Sequence, residues 1–387
     1  MSEQKRKARV IAFYLPQFHP IPENDKWWGK GFTEWTNVGK AKPLFKGHYQ
    51  PRVPADLGYY DLRMPEVREA QAEMAREVGI EGFCYWHYWF GNDKMLLERP
   101  FKEVLESGKP DFPFCLGWAN HSWTNKTWEV GTKKVKEDYL MQMHYSVEDY
   151  IKHFNYVLPA FKDKRYICVD GKPLFLIFRP LDIPDVKEFI ELWQQRAKAN
   201  GLKGIHFVGI SSTINDDVNK TKNIFNRDFL TQGHVLYPKL FKLGLDAINS
   251  YGQYRAELLT RSWFNIIKRY LIKILFNRFT LVKIQQKEIN KFLFDEYDKW
   301  EYVYPTLLPC WDRSARSGLK AKVYVDSTPE VFKKQLDEAI SLLQDKDWEH
   351  KILFLKSWNE WAEGNYVEPD LKYGHGFLDV IKDCIFE

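Results

Sequence analysis

Residues 351–364 read KILFLKSWNEWAEG, an apolar run followed at once by a cluster of polar and aromatic residues. The apolar run predicts a short buried strand, and the cluster falls where such a strand gives way to a loop or helix. Glu360 and Glu363, the Glu pair, are three residues apart, so one helical turn would place both carboxylates on one face. Two acids held this close among tryptophans indicate chemistry at a glycosidic bond. An exposed pair on a surface turn is the weaker interpretation, because a buried strand directly precedes it.

Seven further apolar runs alternate with predicted helices along the chain. The apolar runs are Val10–Leu15, Gly82–Trp89, Phe112–Trp118, Leu174–Phe178, Ile205–Ile210, Leu245–Ile248 and Val303–Leu308. The predicted helices are Pro65–Val78, Phe101–Glu106, Val147–Phe161, Val186–Ala199 and Pro329–Leu343. Eight strands alternating with helices predict parallel βα units that close into a barrel. We therefore expect an α/β protein with a single (β/α)8 barrel domain over residues 1–387.

Polar and aromatic residues follow these runs, at the carboxyl ends of the predicted strands. In a (β/α)8 barrel these ends converge on one face, where the active site lies. We expect the Glu pair to be catalytic and neighbouring residues to bind the substrate. The expected binding residues are Tyr14, Gln17, His19, Trp28, Glu34, Trp35, Trp86, His87, Tyr88, Trp118, Asn120, His121, Trp123, Arg179, Tyr251, Trp311, Asp312, Trp358, Asn359 and Trp361.

Three of these residues have competing interpretations. His87 and His121 are candidates for proton transfer, since histidine titrates near neutral pH. The alternative, which we favour, is that each orients a ligand or lies at the edge of the core. Arg179 ends a predicted strand, and burying it unpaired is costly. We therefore expect Arg179 to pair with a carboxylate in the site.

Residues 20–60 form a long loop rich in aromatic residues, and loops of this length are usually functional or disordered. The aromatic density favours an ordered lid or cleft wall. Within this loop, Glu34 either touches the substrate or anchors the loop. After the seventh strand, Asp312 with Arg313 or Arg316 either binds sugar hydroxyls or forms a surface ion pair.

Residues 261–294 are basic and amphipathic, with apolar residues at helical spacing and lysines and arginines between them. This pattern predicts a helical insertion into the barrel, within about residues 255–300. The insertion either packs on the barrel or lies on an anionic membrane surface.

The bulk composition restricts the class of protein. The chain has 387 residues and a net charge of +5, too small to indicate nucleic acid as a partner without a concentrated basic patch. Aromatic residues make up 16% of the chain, and their faces can stack on sugar rings. The five cysteines are scattered without disulfide or metal-site spacing, which favours a cytoplasmic protein. We expect no metal, cofactor, signal peptide or transmembrane helix.

Seven motifs are typical of one family. They are YLPQFHP at 14–20, GFTEW at 31–35, GFCYWHYWF at 82–90, WAN at 118–120, DGKP at 170–173, LPCWD at 308–312 and WNEWAEG at 358–364. With these motifs the chain resembles, over most of its length, the WbsX-like family of polysaccharide-cluster proteins. That family is related to glycoside hydrolase family 99, whose founding members are endo-α-mannosidases. The resemblance implies the same (β/α)8 barrel.

The resemblance also implies roles for the Glu pair. In the related mannosidases, the first Glu of ExxE takes a proton from the substrate's 2-hydroxyl, which attacks C1 and gives a 1,2-anhydro sugar. The second Glu protonates the departing oxygen. Glu360 would then be the base, and Glu363 the acid and later the base, on an α-manno-configured sugar. This chain has His121-Ser122-Trp123 where many family members have Glu-Asn-Trp. That departure bears on the sugar more than on the chemistry.

Three functions remain open at this stage. The first is a retaining, endo-acting glycoside hydrolase that cuts a bacterial polysaccharide at a manno-configured residue. The second is a glycosyltransferase or another enzyme of O-antigen or capsule assembly, cytoplasmic and peripheral to the inner membrane. The absence of a glycine-rich Rossmann loop argues against this second function. The third is a glycan-binding barrel without activity, which the intact ExxE argues against.

Overall fold

The computed structural model describes residues 5–124, 139–211, 233–260, 271, 274 and 281–387, without the side chains of 233–235. Within these residues, eight parallel strands form a barrel. In chain order they are β1 (Arg9–Tyr14), β2 (Ile80–Gly91), β3 (Phe114–Trp118), β4 (Lys172–Ile177), β5 (His206–Ile210), β6 (Ala247–Ser250), β7 (Val303–Leu307) and β8 (Ile352–Leu355). Each strand overlaps one of the eight predicted runs, including the weakest run at Leu245–Ile248.

The barrel closes because β1 pairs with both β2 and β8. Ile11 lies opposite Gly82 on one side and opposite Phe354 on the other. The remaining strands follow chain order from β2 to β8, each parallel to the next. The predicted (β/α)8 barrel is confirmed.

Helices cover the outside of the barrel. In the described residues they are α1 (Pro22–Trp28), α2 (Glu34–Lys40), α3 (Pro65–Glu77), α4 (Arg99–Ser107), α5 (Val147–Phe161), α6 (Val186–Ala199), α7 (Gly233–Lys242), α8 (Gln253–Leu259), α9 (Gln286–Asn290), α10 (Ser314–Ser317), α11 (Pro329–Leu342) and α12 (Gly376–Ile385). The five predicted helices correspond to α3, α4, α5, α6 and α11 within two residues at each end. Ser146 and Thr328 explain two of these starts, since each side chain caps its helix.

Short elements decorate the loops. Short strands pair as Lys94–Leu96 with β2, Cys168–Val169 with β4, Trp123–Thr124 with Tyr139–Met141, Val282–Gln285 with Lys322–Val325, and Asn359–Glu360 with Asn365–Tyr366. The 3-10 helices are Pro180–Asp182, Glu296–Lys299, Gly318–Lys320, Trp348–His350 and Trp361–Glu363. The last hairpin and the last 3-10 helix together carry the Glu pair.

The core lies inside the barrel and between the barrel and its helices. Every residue of β1, β3, β5, β6, β7 and β8 is buried, as expected for parallel strands covered on both faces. Trp193 of α6 shows how a helix is fixed to the barrel. Its ring packs 5.0 Å from that of Phe175 on β4, and its indole nitrogen donates to the backbone oxygen of Tyr150. Trp193 is fully buried, so water reaches neither face of its ring.

The N-terminal segment at residues 20–60 is ordered, but none of its residues lines the cleft described below. Trp35 packs 5.5 Å from Trp361, and His48 lies 2.8 Å from the Asp312 carboxylate. The segment therefore braces the loops behind the Glu pair rather than forming a cleft wall.

Most of the predicted insertion, residues 261–270, 272–273 and 275–280, lies outside the described residues. In the described part, strand Val282–Gln285 precedes α9, so the predicted helix is interrupted there. Across the residues that the structure describes, we find no helix with the length and apolar character needed to cross a bilayer.

Arg9 fastens the amino-terminal end of the barrel. Its guanidinium makes two 2.8 Å hydrogen bonds to the Glu81 carboxylate at the start of β2. It also donates to the backbone oxygens of Glu349 and Cys168, both at 2.9 Å. One buried cation thus connects the start of β1 with segments that precede β8 and β4.

Replacing Arg9 by Met should lower the free energy of unfolding by about 3 kcal/mol, because the Glu81 carboxylate and two carbonyls lose their donor. Urea unfolding would measure this change. Arg63→Met is the matched control, since Arg63 pairs with Asp61 at the exposed surface and its loss should cost about 1 kcal/mol or less. Equal effects of the two substitutions would contradict this role for Arg9.

Candidate active site

A cleft of about 610 Å³ lies where the carboxyl ends of the barrel strands meet. Its lining includes residues at or beyond the end of each of the eight strands, and both members of the Glu pair belong to it. Clefts of this size commonly bind small organic ligands, and in (β/α)8 enzymes they contain the reacting groups. The cleft is therefore the candidate active site.

The backbone brings the two carboxylates of the Glu pair together. Glu360 ends a short strand, and Trp361–Glu363 forms the 3-10 turn that follows. Residues three apart on a 3-10 turn lie on the same side. The two Oε1 atoms lie 3.1 Å and 2.6 Å from the same nitrogen, Nη1 of Arg316. The proximity predicted from the sequence spacing is thus present.

Asn359 and Ser357 fix the backbone that carries the Glu pair. The Asn359 carboxamide bonds both backbone groups of Leu15, accepting from N at 2.8 Å and donating to O at 3.1 Å. The Ser357 hydroxyl accepts from the backbone nitrogen of Glu360 and donates to the backbone oxygen of Asn365. The hairpin is therefore joined to the end of β1 and closed on itself.

Glu368 holds the two tryptophans of the WNEWAEG loop (residues 358–364). Its buried carboxylate accepts from the indoles of Trp358 at 3.0 Å and Trp361 at 2.6 Å. It also accepts from Gln71 at 2.6 Å and Tyr60 at 2.8 Å. Burial raises the pKa of Glu368 to about 7, and the four donors oppose that rise by favouring the carboxylate. Trp358 and Trp361 therefore help to hold the loop in place through their hydrogen bonds to Glu368.

Gly364 ends the WNEWAEG loop because no other residue fits there. Its φ is +54°, and an added Cβ would lie 2.6 Å from the Cβ of Asp312. The backbone nitrogen of Asp312 donates to the backbone oxygen of Glu363 at 2.7 Å, so the loop after β7 contacts the WNEWAEG loop at this point. The glycine lets the Glu pair lie directly on the loop after β7.

Arg316, from α10 after β7, is the centre of the charged cluster. Besides the Glu pair, its guanidinium contacts the carboxylate of Glu34, which is fully buried. Arg313 adds a second cation, with Nε 3.1 Å from Oε1 of Glu363. Glu34 is thus an anchor in this structure, since it lies behind Arg316 and does not line the cleft.

The pKa values of the two members of the Glu pair are shifted in opposite directions. Burial and the neighbouring Glu363 carboxylate raise the pKa of Glu360 above its ordinary value. Burial also acts to raise the pKa of Glu363, but Arg313 and Arg316 outweigh it and hold that pKa below the ordinary value. Glu363 is therefore the member that more readily stays charged, and Glu360 the one that more readily holds a proton.

Lys356, just after β8, lies beside the Glu pair. Its ammonium is 4.5 Å from the ring centroid of Tyr251 and 4.4 Å from that of Trp311. It also donates to the Tyr251 hydroxyl. Burial lowers the pKa of Lys356, and the Glu pair opposes that change. The cleft therefore has a cation held between two aromatic faces.

Aromatic side chains on β1 and β2 and in the segments after β3 and β4 form another part of the cleft lining. Trp86 stacks on Phe13 with centroids 4.8 Å apart and packs edge-on against Phe178. Trp123 packs against Tyr88 at 5.2 Å. All five side chains line the cleft. Flat apolar surfaces in the same cleft as a carboxylate pair suit the faces of sugar rings.

Ten of the predicted residues come together in the cleft. They are Gln17, Trp86, Tyr88, His121, Trp123, Arg179, Tyr251, Trp311, Glu360 and Glu363. Burial and nearby Arg179 lower the pKa of His121 to about 4, so this imidazole is neutral near pH 7. Arg179 pairs with Asp182, 3.3 Å away, a carboxylate that is not among the described residues lining the cleft.

The other predicted residues do not line the cleft. They are Tyr14, His19, Trp28, Glu34, Trp35, His87, Trp118, Asn120, Asp312, Trp358, Asn359 and Trp361.

Four of these twelve show why sequence patterns misplace buried polar groups. Asp312 accepts from Gln50 and lies against His48, so the expected pairing with Arg313 or Arg316 is absent. His87 lies 2.9 Å from the imidazole of His153. Trp118 donates to the backbone oxygen of Trp89, and Asn120 bonds the backbone of Arg179. These partners are distant in sequence, which hides them from motif analysis.

Sixteen lining residues lie outside the predicted set, and two of them, Arg313 and Arg316, were expected only as partners of Asp312. They are Phe13, Leu15, Ala119, Phe178, Ile210, Asn249, Gln253, Tyr254, Glu257, Arg313, Arg316, Ser317, Lys320, Ala321, Lys322 and Lys356. Lys356 had a visible signal, since it directly precedes the WNEWAEG loop. Lys320 and Lys322 had none, because they belong to a short 3-10 helix and a short strand outside every motif. Within the described ranges, no three His, Cys, Asp or Glu side chains come together as a metal site requires.

Comparison with known proteins shows the family. The model of the family described as "Glycosyltransferase WbsX" matches residues 10–381, and the chain belongs to this family. Two curated relatives from Xanthomonas campestris pv. campestris, both called "Uncharacterized protein WxcX", are 32% identical over 379 residues. That alignment covers 98% of this chain and 50% of each relative, so the chain spans about half of their length.

Solved structures share the fold. The endo-α-mannosidase of glycoside hydrolase family 99 from Bacteroides thetaiotaomicron aligns with a TM-score of 0.55 and 14% identity, over 97% of this chain and 95% of that one. A structure described as "Glycoside hydrolase-like protein" aligns with a TM-score of 0.59 and 14% identity, over 100% of this chain and 96% of that one. At these identities the likeness establishes the (β/α)8 fold.

Replacing Glu368 by Gln tests the support of the WNEWAEG loop. An amide would turn an NH₂ group toward two donors, so at least one indole, amide or hydroxyl donor would lose its acceptor. We expect the free energy of unfolding to fall by about 1–3 kcal/mol. Urea unfolding, with Trp fluorescence for the loop, would measure this. Unchanged stability and fluorescence would show that the carboxylate is not required there.

Replacing Glu363 by Gln should lower the pKa of Glu360, because a neighbouring negative charge disappears while Arg313 and Arg316 remain. The carbonyl stretch of the protonated Glu360 carboxyl, followed by infrared spectroscopy against pH, would measure that pKa. Subtracting spectra of the Glu360→Gln variants isolates this group from other buried carboxyls. A higher pKa in the Glu363→Gln protein would contradict the charge assignment.

Proposed function

We propose that this protein is a retaining glycosidase that cleaves a bacterial polysaccharide within its chain, at a manno-configured sugar. The Glu pair supplies the acid and the base, and the aromatic wall of the cleft binds the sugar rings. Membership of the WbsX family and the (β/α)8 fold support a carbohydrate-active enzyme.

The spacing of the Glu pair carries this proposal. One nitrogen of Arg316 lies 3.1 Å from one carboxylate and 2.6 Å from the other. Two oxygens this near one atom are closer together than the roughly 6.5–9.5 Å separation of inverting enzymes, which must fit a water molecule between them. The geometry therefore favours a route with retention.

In the proposed first step, Glu360 takes the proton of the 2-hydroxyl, and O2 attacks C1. The C1–oxygen bond to the leaving sugar breaks, and Glu363 gives its proton to that oxygen. In the second step Glu363 takes a proton from water, which opens the 1,2-anhydro ring at C1, and Glu360 returns its proton to O2. Two inversions at C1 give overall retention.

The charged groups around the Glu pair bear on which glutamate is the acid and which is the base. Glu363 must carry a proton before the first step, yet Arg313 and Arg316 keep it charged. A bound sugar must therefore displace at least one of these contacts. The reverse order, with Glu360 as acid and Glu363 as base, needs no such displacement. The two orders can be told apart by comparing substrates whose leaving groups need a proton with substrates whose leaving groups do not.

Replacing each glutamate by Gln tests the pair. Both variants should lose about 100-fold or more in kcat on a natural glycan, with KM less affected, because the lost interactions act mainly in the transition state. The variant that lacks the acid should recover on aryl glycosides whose leaving group needs no proton. The proposed order predicts recovery for Glu363→Gln, and recovery for Glu360→Gln would establish the reverse order.

A matched substrate tests the intramolecular route. A 2-deoxy or 2-O-methyl glycoside should not react if the 2-hydroxyl is the nucleophile. A covalent sugar trapped on Glu360 would replace this route with an ordinary glycosyl-enzyme. Full turnover by Glu360→Gln would refute the assignment of the pair.

We also propose a second candidate function, glycosyl transfer in O-antigen or capsule assembly, which the family's description favours. In that case the protein would act in the cytoplasm, peripheral to the inner membrane. Products tell the two functions apart, since a hydrolase releases a reducing sugar in water alone, whereas a transferase needs an acceptor alcohol.

A further inference from the structure

Glu34, at the start of α2, shares the guanidinium of Arg316 with the Glu pair. Nη2 of Arg316 bonds Oε1 of Glu34. Nη1 of the same guanidinium bonds Oε1 of Glu360 at 3.1 Å and Oε1 of Glu363 at 2.6 Å. One cation is thus common to three carboxylates, with Glu34 on one nitrogen and the Glu pair on the other. The charge on Glu34 therefore affects how far Arg316 stabilises the charged forms of the Glu pair.

Glu34 also contacts the backbone between the two members of the Glu pair. The backbone nitrogen of Ala362 donates to Oε1 of Glu34 at 3.3 Å. Ala362 belongs to the 3-10 turn Trp361–Glu363, which places the two carboxylates of the pair on one side. A single oxygen of Glu34 thus contacts both the cation and the turn that position the Glu pair.

The second oxygen of Glu34 provides a place for a proton. Oε2 is buried, and it accepts a hydrogen bond from none of the residues that the structure describes. Burial raises the pKa of Glu34, and Arg316 opposes that rise without cancelling it. A proton on Oε2 would relieve the cost of burying a charged oxygen that has no donor. Glu34 therefore titrates at a higher pH than an exposed glutamate.

Other charged or titratable groups surround Glu34 and the Glu pair. They are Lys40 on α2, Tyr88 on β2, Tyr251 after β6, Arg313 after β7, Arg316 on α10 and Lys356 after β8. All of them remain when Glu34 alone is replaced. A resulting change in the protonation of the Glu pair is then due either to the charge of Glu34 or to movement of the loop that it contacts.

We propose that Glu34 is a positioning residue of the Glu pair, which sets how readily the pair holds a proton by competing with it for Arg316. While Glu34 is charged, it takes part of the attraction of Arg316, and Glu360 keeps its proton more readily. When Glu34 takes a proton, Arg316 favours the charged forms of the Glu pair more strongly.

This inference rests on the proposed function for the claim that the Glu pair reacts with a sugar. The competing explanation is that Glu34 only anchors the N-terminal segment on the WNEWAEG loop. In that case its replacement would lower stability and leave the protonation of the Glu pair as it is.

Replacing Glu34 by Gln removes the charge and keeps the shape of the side chain. The pH midpoint of the Glu360 carboxyl, followed by its infrared carbonyl stretch, should fall by about one pH unit, because Arg316 loses a competing negative charge. Subtracting the spectra of the double variant Glu34→Gln, Glu360→Gln isolates the Glu360 band. An unchanged or higher midpoint would overturn the proposal.

Glu368→Gln is the matched control, since it also removes a buried carboxylate that supports the WNEWAEG loop. The hydrogen-bond donors of Glu368 are neutral indole, amide and hydroxyl groups. The Glu360 midpoint in this variant should therefore stay close to the wild-type value. A fall as large as that in Glu34→Gln would show that loosening of the loop moves the midpoint, and it would overturn a role for the charge of Glu34.

Glu34→Asp tests the proposal if Glu34→Gln does not fold, as judged by circular dichroism. The shorter side chain withdraws the carboxylate from Arg316, so the Glu360 midpoint should again fall, but by less than the loss of the whole charge would cause. A folded Glu34→Asp protein with the wild-type midpoint would overturn the proposal.

The pH dependence of kcat/KM on a cleaved glycan gives a second reading. Under the proposed function both limbs of this profile belong to the Glu pair, whichever member is the acid. Loss of the Glu34 charge favours the charged forms of both members, so both limbs should move to lower pH in Glu34→Gln. Limbs that stay at their wild-type pH would count against the proposal.

Failure of this inference is distinguishable from failure of the proposed function, because the infrared midpoint needs no substrate. A lower midpoint in a protein that cleaves no glycan would keep the coupling of Glu34 to the Glu pair and remove the glycosidase proposal. Glycan cleavage with an unchanged midpoint and an unchanged pH profile in Glu34→Gln would do the opposite.

Discussion

The contact of one guanidinium with three carboxylates is the constraint on which the candidate site depends. Arg316 connects Glu34 near the start of the chain with Glu360 and Glu363 near its end. A buried arginine without those partners would be costly, and each glutamate without the arginine would be equally so. The N-terminal segment, the loop after β7 and the WNEWAEG loop must therefore fold together. This explains why residues 20–60 are ordered although they do not line the cleft.

A second layer of contacts, outside the Arg316 cluster, keeps that cluster in place. Glu368 collects four donors, Asn359 bonds the backbone of Leu15, and Gly364 allows the WNEWAEG loop to touch the loop after β7. Each of these contacts acts on backbone or on buried side chains, so none uses a carboxylate of the Glu pair. The carboxylates of the Glu pair can consequently change protonation without loss of these supporting contacts, which is what the proposed acid–base chemistry requires.

The sequence predicted the barrel well because the relevant signals are local. Buried parallel strands are short apolar runs, and even Leu245–Ile248 could be recognised between its neighbours. The position of the Glu pair followed from the same logic, since it lies just beyond β8. Trp358, Trp361 and Asp312, which were predicted to bind sugar, do not line the cleft. The two tryptophans bond Glu368 and Asp312 bonds His48, and local sequence patterns do not predict such tertiary contacts. The pairing of Arg316 with Glu34 spans 282 residues, which no spacing rule detects.

The chemistry proposed for the Glu pair also explains how a family described as glycosyltransferases can have the fold of glycosidases. A 1,2-anhydro sugar is opened at C1 by any hydroxyl whose proton is removed by the nearby carboxylate. Water gives hydrolysis, and the hydroxyl of a second sugar gives transfer, while the two glutamates do the same work. The outcome then depends on which acceptor reaches C1 first. Under the proposed function that choice lies with the cleft wall, which includes the side chains of Trp86, Trp123 and Lys356.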